Sequence, residues 1–301
     1  NEDKYALEIL GQILSGSKKA PLYKTIVEEQ KLAPRVGTYQ SSSELAGEFV
    51  FRVRANAGTD LDNVKSAIDE GLLRFEKEGV NEKDLKRIKA ELETSLYRGV
   101  STVLNKAFQL VEDNEFKGDP SYITQTAKLT NAVTAEDVMA AYNKYLKGKN
   151  YVMTSVVPKG NLDLAVENAE QATVWIEEVK KDVANEEVSQ GAEAVYEKTP
   201  SKYDRSEPGY GELPLFKSPE VWTNELSNGM AIYGIENNEV PLVQFDITIP
   251  GGHLLDPVEK SGVANLLTDM LMEGTATKTP ADLEEAIGLL GASIGMYSTN
   301  E

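Results

Sequence analysis

The residues that could hold a metal ion lie close together near the end of the sequence. Asp269 and Glu273 are four positions apart, so on a helix their carboxylates would share one face and could contact a divalent cation. His253 is the only histidine among the 301 residues. Catalytic zinc is held by three protein ligands, usually with two or more histidines among them, and one histidine cannot supply these. We therefore predict that His253 is a turn residue and that the carboxylate pair lies on a solvated surface.

Other catalytic chemistry lacks the residues that it needs. The sequence has no cysteine, which excludes a thiolate nucleophile, a disulfide and a cysteine metal site. It also has no Gly-x-Ser-x-Gly motif, no phosphate-binding loop and no dinucleotide-binding glycine motif. The net charge of −18 argues against nucleic acid or an anionic membrane as a partner, because these bind basic surfaces. No apolar run approaches the roughly 20 residues of a membrane span.

A helix is predicted to carry the carboxylate pair. Gly274 is expected to close it, and a strand pattern with a Gly-Gly turn at 247–252 precedes it. Apolar residues recur at helical spacing, which predicts one buried face: Val263, Leu266, Leu267, Met270 and Leu271.

This strand–turn–helix pattern resembles the unit that opens a domain in the insulinase/pitrilysin family of zinc peptidases. In active members the helix carries the inverted motif His-x-x-Glu-His, followed within a few residues by Gly-Thr. The two histidine positions fall on Asn265 and Asp269, and the glutamate position falls on Thr268. The chemistry requires two neutral imidazoles and a carboxylate that takes a proton from metal-bound water. The resemblance therefore implies a repeat that keeps the fold without binding zinc, and we predict no catalytic or metal-ligating residue.

Residues 17–39 resemble a second-domain segment of the same family, through a Leu-Tyr step and a Leu-Ala step. In catalytic versions of this segment, an arginine and a tyrosine help to bind the substrate carbonyl. Those positions hold Val27 and Pro34, so neither role carries over. Arg35 and Tyr39 lie nearby, but a turn arginine and a strand tyrosine are the simpler interpretation. The substrate-binding residues are therefore not identified.

The elements around these segments predict an α+β fold. Glu48–Arg54 alternates apolar and charged residues as a half-buried strand does, and residues 151–157 indicate a closing strand. Amphipathic helices are predicted to begin after Thr59, Asn81 and Thr134, the last with an aspartate three residues on. The charged residues of the first two helices predict a solvated face: Lys83, Lys86, Arg87, Lys89 and Glu91.

The order of these elements resembles insulinase and mitochondrial-processing-peptidase domains, in which an antiparallel-rich sheet has helices packed on one face. Residues 1–158 would be a second, non-zinc domain whose N-terminal strands are missing. Residues 159–217 are an acidic linker, predicted to be partly helical from Ala165 onward. Residues 218–301 would begin a third domain, with a hairpin turn at 227–229. Both ends look cut from a longer chain.

Three functions are compatible with this resemblance. The chain could be a non-catalytic portion of a zinc metallopeptidase that cleaves peptides in a closed chamber, with zinc in a first domain absent from this sequence. It could instead belong to a silent partner subunit of a heteromeric peptidase, or to a peptide-binding scaffold. The expected partners are a peptide substrate and other domains or subunits of the same peptidase. A bacterial periplasmic or cell-envelope location is expected from the resemblance. Alone, this piece is expected to be inactive.

Overall fold

The structure, a computed structural model, describes residues 3–175 and 217–300, together with 200, 202–204, 206–207, 209, 211–212 and 215. The helices in the first part are α1 Asp3–Ser15, α2 Pro21–Tyr23, a π-helical segment Lys24–Glu29, α3 Leu61–Glu78, α4 Glu82–Gly99, α5 Val103–Lys117, α6 Ile123–Ala132, α7 Ala135–Tyr145 and a 3-10 turn Leu162–Leu164. Later come 3-10 turns at His253–Leu255 and Val258–Lys260, then α8 Val263–Met270 and α9 Pro280–Gly288. The strands are β1 Val36–Ser42, β2 Gly47–Val53, β3 Val221–Glu225 and β4 Ala231–Ile235. The predicted α+β class is confirmed.

Helix α1 lies at the centre of the core. Its residues Ile9, Leu10 and Leu14 are fully buried, and the cluster around them includes Ile26 and Phe75. Helices α2, α4 and α7 and strand β1 all contact α1. A helix surrounded in this way buries nearly its whole circumference, and burial of apolar area is the main source of stability here.

The hairpin of β1 and β2 packs on α1 through a small polar contact. The strands are antiparallel, with Thr38 opposite Phe51. The Thr38 hydroxyl donates to the carbonyl oxygen of Gly11 at 2.7 Å, and the Thr38 backbone N–H donates to Ser15 Oγ at 2.8 Å. A Cβ on Gly11 would lie 3.0 Å from the Thr38 carbonyl oxygen, so glycine permits this close approach.

Helices α3, α4 and α7 begin at side-chain caps. Asn81 accepts the backbone N–H of Lys83, and Thr134 forms a reciprocal capping box with Asp137, as the sequence predicted. Helix α3 is capped by Asp60 rather than by the predicted Thr59. Threonine and aspartate can both cap a helix, and here the Asp60 carboxylate, which is a good hydrogen-bond acceptor, is the cap.

Two predicted strands do not form. Residues 151–157 and the predicted strand pattern with its Gly-Gly turn at 247–252 are in neither a helix nor a strand. Among the described residues, β1 pairs only with β2 and β3 only with β4. A strand exists through its ladder, and the alternating pattern of a segment does not supply the partner.

Residues 170–237 form one compact unit, and residues 1–169 together with 238–301 form another. In the smaller unit, β3 and β4 pair from Val221 opposite Ile235 to Glu225 opposite Ala231, as predicted for the hairpin. The indole of Trp222 lies across Gly234, where a Cβ would overlap it. Residues 165–175 of the linker are not helical, contrary to the prediction, and the rest of that predicted helix lies outside the described residues. The predicted domain boundaries stay a prediction.

In the part of the chain that the structure describes, no helix is long and apolar enough to cross a membrane.

Candidate functional site

A carboxylate from the preceding turn holds the N-terminus of α8. Asp256 accepts the backbone N–H of Gly262 at 2.8 Å and that of Ala264 at 3.0 Å. The Gly262 N–H is the main reason that the pKa of Asp256 lies below its ordinary value. His253 lies in the adjacent 3-10 turn, with its Nδ1 3.7 Å from Asp256 Oδ2. The single histidine thus sits beside the carboxylate that starts the helix.

The three positions of the inverted motif share one face of α8, as their spacing requires. Asn265 and Asp269 are exposed, and Thr268 is half-buried between them. The Thr268 hydroxyl donates to the Asn265 carbonyl oxygen at 2.7 Å. Over the described ranges, no group of three or more His, Cys, Asp or Glu side chains is arranged to hold a metal ion.

Asp269 and Glu273 do not share a helical face, contrary to the sequence-based interpretation. Helix α8 ends at Met270, so Glu273 lies beyond it. The Glu273 carboxylate contacts Lys18 Nζ at 3.1 and 3.2 Å. The apolar residues after the motif do not extend the helix far enough to align the two carboxylates.

The apolar face of α8 was predicted to be buried, and this prediction is wrong. Its residues are between 45% and 61% exposed: Val263, Leu266, Leu267, Met270 and Leu271. The apolar stretch 243–249, which precedes the helix in the sequence, pairs with none of the described strands and is largely exposed. A helix buries its apolar stripe only where another layer covers it.

The residues at or near the family's substrate-binding positions lie in the π-helical segment, before β1 and on β1. Val27 belongs to the π-helical segment and packs against the core, while Pro34 and Arg35 are exposed before β1. Tyr39 is 47% exposed on β1, on the face opposite to the buried Thr38. Neither an aliphatic side chain nor a proline donates a hydrogen bond, so the roles of arginine and tyrosine in catalytic versions are not available here.

The charged face predicted for α3 and α4 is only partly solvated. Arg87 is 3% exposed, and its guanidinium donates to Glu91 at 2.9 and 3.0 Å. Lys83 Nζ lies 2.6 Å from Glu285 on α9, a contact that the sequence analysis missed. The sequence signal for it was weak: a Thr-x-x-Asp cap at 279–282 places acidic residues on the first turns of a short helix.

Sequence comparison with known families matches both ends of the chain. Residues 1–92 match the profile described as "Peptidase M16 inactive domain". Residues 234–301 match the profile described as "Insulinase (Peptidase family M16)". The chain belongs to the insulinase family. Its first segment matches the inactive domain of that family, and α8 lies in the second insulinase segment.

Individual relatives are bacterial. The Bacillus subtilis protein named "Uncharacterized zinc protease YmxG" is 24% identical over 163 residues, which cover 54% of this chain and 39% of that protein. The chain thus spans about two fifths of the length of this curated relative. The solved M16 inactive domain from Pseudomonas fluorescens is 23% identical, with a TM-score of 0.42 over 48% of this chain and 34% of that one. The periplasmic protease PqqL from Escherichia coli is 20% identical, with a TM-score of 0.41 over 48% and 16% of the two chains.

The donor set on α8 does not fit the zinc of insulinase peptidases. An amide, a hydroxyl and one exposed carboxylate replace the two imidazoles and the general base. The Thr268 hydroxyl is engaged with the backbone, and the lone histidine is placed next to Asp256. The absence of zinc ligands at these positions stays a prediction, and it is supported by the chemistry of the three side chains.

Proposed function

We propose that this chain is the non-catalytic portion of a zinc metallopeptidase that cleaves peptides in a closed chamber. Peptide-bond hydrolysis by zinc-activated water belongs, in this proposal, to another segment of the longer protein. The observation that carries the proposal is an insulinase helix whose motif positions are Asn265, Thr268 and Asp269, in a chain whose residues 1–92 match an inactive domain.

The part that we assign to this chain is to form a wall of the chamber and to contact the peptide. The hairpin β1–β2 supports this assignment, because neither strand pairs with a third among the described residues. Unpaired backbone groups along a strand edge can pair with an extended peptide, and side-chain contacts then add selectivity. Tyr39 is an exposed side chain on this hairpin that such a peptide would meet.

The longer protein provides the test of this function. We expect purified full-length protein to contain zinc and to cleave peptides, and a chelator to abolish the cleavage. A full-length protein that contains no zinc, and that takes part in cleavage only together with a separate zinc-containing subunit, would favour the silent-partner alternative and would contradict the proposal. A metal-free and inert protein that still binds peptides would favour the scaffold alternative and would contradict the proposal. Cell fractionation tests the proposed periplasmic or envelope location.

The 301-residue chain allows a direct test of the lost metal site. The triple variant Asn265→His, Thr268→Glu, Asp269→His places two imidazoles one helical turn apart on α8. We expect it to bind zinc at least about tenfold more tightly than the wild-type chain, because paired imidazoles are zinc's usual nitrogen ligands. The measurement is isothermal titration together with metal analysis of the dialysed protein.

Asn265→His alone is the matched control, since it adds one imidazole without the pair. It should bind zinc no better than about two- to threefold over wild type. Stoichiometric zinc in the wild-type chain, held through Asp269, would show that the motif positions still ligate and would contradict the assignment.

A further inference from the structure

Lysines near the start of the chain meet acidic residues of α9. Lys19 Nζ lies 2.8 Å from Asp282 Oδ1 and 3.1 Å from Glu285 Oε2. Lys83, on α4, approaches the same Glu285 oxygen at 2.6 Å. The Glu285 side chain is only 16% exposed, so two ammonium groups share a partly desolvated carboxylate. We call Lys18, Lys19 and Lys83 the lysine face.

Backbone contacts reinforce this charge pairing. The backbone N–H of Lys18 donates to Glu284 Oε2 at 2.8 Å, and its ammonium group pairs with Glu273. Each lysine of the face therefore has an acidic partner in or just before α9. A single surface ion pair contributes little, but several that share partners in one place can fix an orientation.

Glycines let the end of α9 approach α4 closely. A Cβ on Gly288 would overlap Glu91 and would lie 2.8 Å from the Cγ and Cδ atoms of the buried Arg87. A Cβ on Gly291 would lie 2.6 Å from Thr94 Oγ1. Because glycine has no Cβ, the end of α9 can lie directly against these side chains of α4. Helix α9 is therefore held by ion pairs at its start and by close packing against α4 at its end.

We propose that α9 and the lysine face form a matched docking interface, which holds the second insulinase segment on the first by charge and by glycine contact and releases it when the charges are screened. The partner of the lysine face is a helix with an acidic first half and a glycine at its end, which this chain carries itself. The interface does not depend on the proposed function, because no peptide cleavage enters the argument.

Hydrogen exchange of the α9 amides in the full chain measures the docking. Lys83→Met should speed exchange by about two- to fivefold, and Lys19→Met with Lys83→Met by about fivefold or more, as expected for partly exposed ion pairs. Lys86→Met is the matched control on the same helix, because Lys86 has no ion-pair partner among the described residues. Equal exchange rates in all these variants would overturn the proposal.

Gly288→Ala should change the hydrogen-exchange rate of α9 in opposite directions for a docked and an undocked helix. In a free helix, alanine is favoured over glycine and would slow exchange. In the docked helix, the new methyl group meets Arg87 and Glu91, so we expect α9 to exchange about twofold to tenfold faster. Gly295→Ala is the control, because a Cβ there meets nothing within 4 Å. Slower exchange in Gly288→Ala would overturn the proposal.

Carbodiimide coupling tests the contact covalently. It should join Lys83 or Lys19 to Asp282 or Glu285 within one chain, as shown by peptide mass mapping of the monomer band. The yield should fall several-fold between about 0.02 M and about 0.5 M salt, where the Debye length shortens to a few Å. Coupling only between two chains, or none at low salt, would overturn the intramolecular interface.

Discussion

Helices α1 and α8 have the same apolar periodicity and opposite environments. Ile9, Leu10 and Leu14 on α1 are fully buried, whereas Leu266 and Leu267 on α8 are more than half exposed. Helix α1 is covered by other helices and by the β1–β2 hairpin. Helix α8 contacts a 3-10 turn, and the stretch 243–249 that precedes it in the sequence is in neither a helix nor a strand. Periodicity thus fixes the helix, and the neighbouring layer decides whether its stripe is buried.

The contrast extends to the polar groups. The Thr38 hydroxyl on the α1 side is buried and bonded to a specific carbonyl oxygen. On α8 the Thr268 hydroxyl bonds to a carbonyl of its own helix, which any threonine on a helix can do. Hydrogen bonds on the α1 side join different elements, and those of α8 stay local. We therefore expect mutations in the two regions to have very different effects.

The largest expected difference is between Leu10→Ala and Leu267→Ala. Truncating the fully buried Leu10 should lower the free energy of unfolding by about 3 kcal/mol, because burial is lost and a cavity is left. Leu267→Ala, at 57% exposure, should cost no more than about 0.5 kcal/mol. Urea denaturation followed by circular dichroism measures both. Similar losses in the two variants would show that α8 is packed as tightly as α1.

A smaller effect is expected from the hydroxyl of Thr38. Thr38→Val keeps the shape and removes the bond to the Gly11 carbonyl, which should lower the free energy of unfolding by about 1 to 2 kcal/mol. Thr223→Val on the exposed strand β3 is the matched control, and valine there should be neutral or slightly stabilising. The same denaturation experiment serves. A neutral Thr38→Val would mean that the α1–β1 contact rests on apolar packing alone.

Local chemistry explains what could be predicted from the sequence. The caps at Asn81 and Thr134 and the hairpin turn before Met230 depend on residues within four positions of one another, and each forms as predicted. The changed zinc motif could also be identified from spacing alone, since positions four apart on a helix share a face wherever the helix lies.

Non-local partners explain what could not be predicted. The pattern at 151–157 is typical of a strand, but no ladder partner exists for it among the described residues. Lys83 looked like a solvated lysine because Glu285, its partner, lies 202 positions away. Arg87 was assigned to the surface because its burial depends on Gly288, whose missing side chain leaves room for the guanidinium stem. Each error concerns a contact between distant parts of the chain.

The smallest predicted effect is at Asp282 on α9, which pairs with Lys19 in the first part of the chain. The Lys19 ammonium, and then the Thr279 hydroxyl, lower the pKa of Asp282 to about 2. Because the folded pKa lies below the ordinary value, the stabilising effect of this carboxylate is complete above about pH 4 and is lost as pH falls through about 2. Lys83 and Glu285 carry the other charges at this contact, and the hydrogen bond from Lys83 lowers the pKa of Glu285 as well. Lys19→Met should raise the pKa of Asp282 toward the ordinary value of about 3.9.

Carboxyl-carbon NMR of the full chain between about pH 1.5 and pH 6, a range that includes both the lowered and the ordinary pKa, measures this shift. Asp256 is the internal control, because backbone N–H groups at α8 lower its pKa and no lysine is involved. If α9 is docked, Lys19→Met moves Asp282 and leaves Asp256 unchanged. If Asp282 already titrates at the ordinary value in the wild-type chain, α9 is undocked in solution. The second segment would then resemble α8 throughout, a set of correctly formed helices without a layer to hold them.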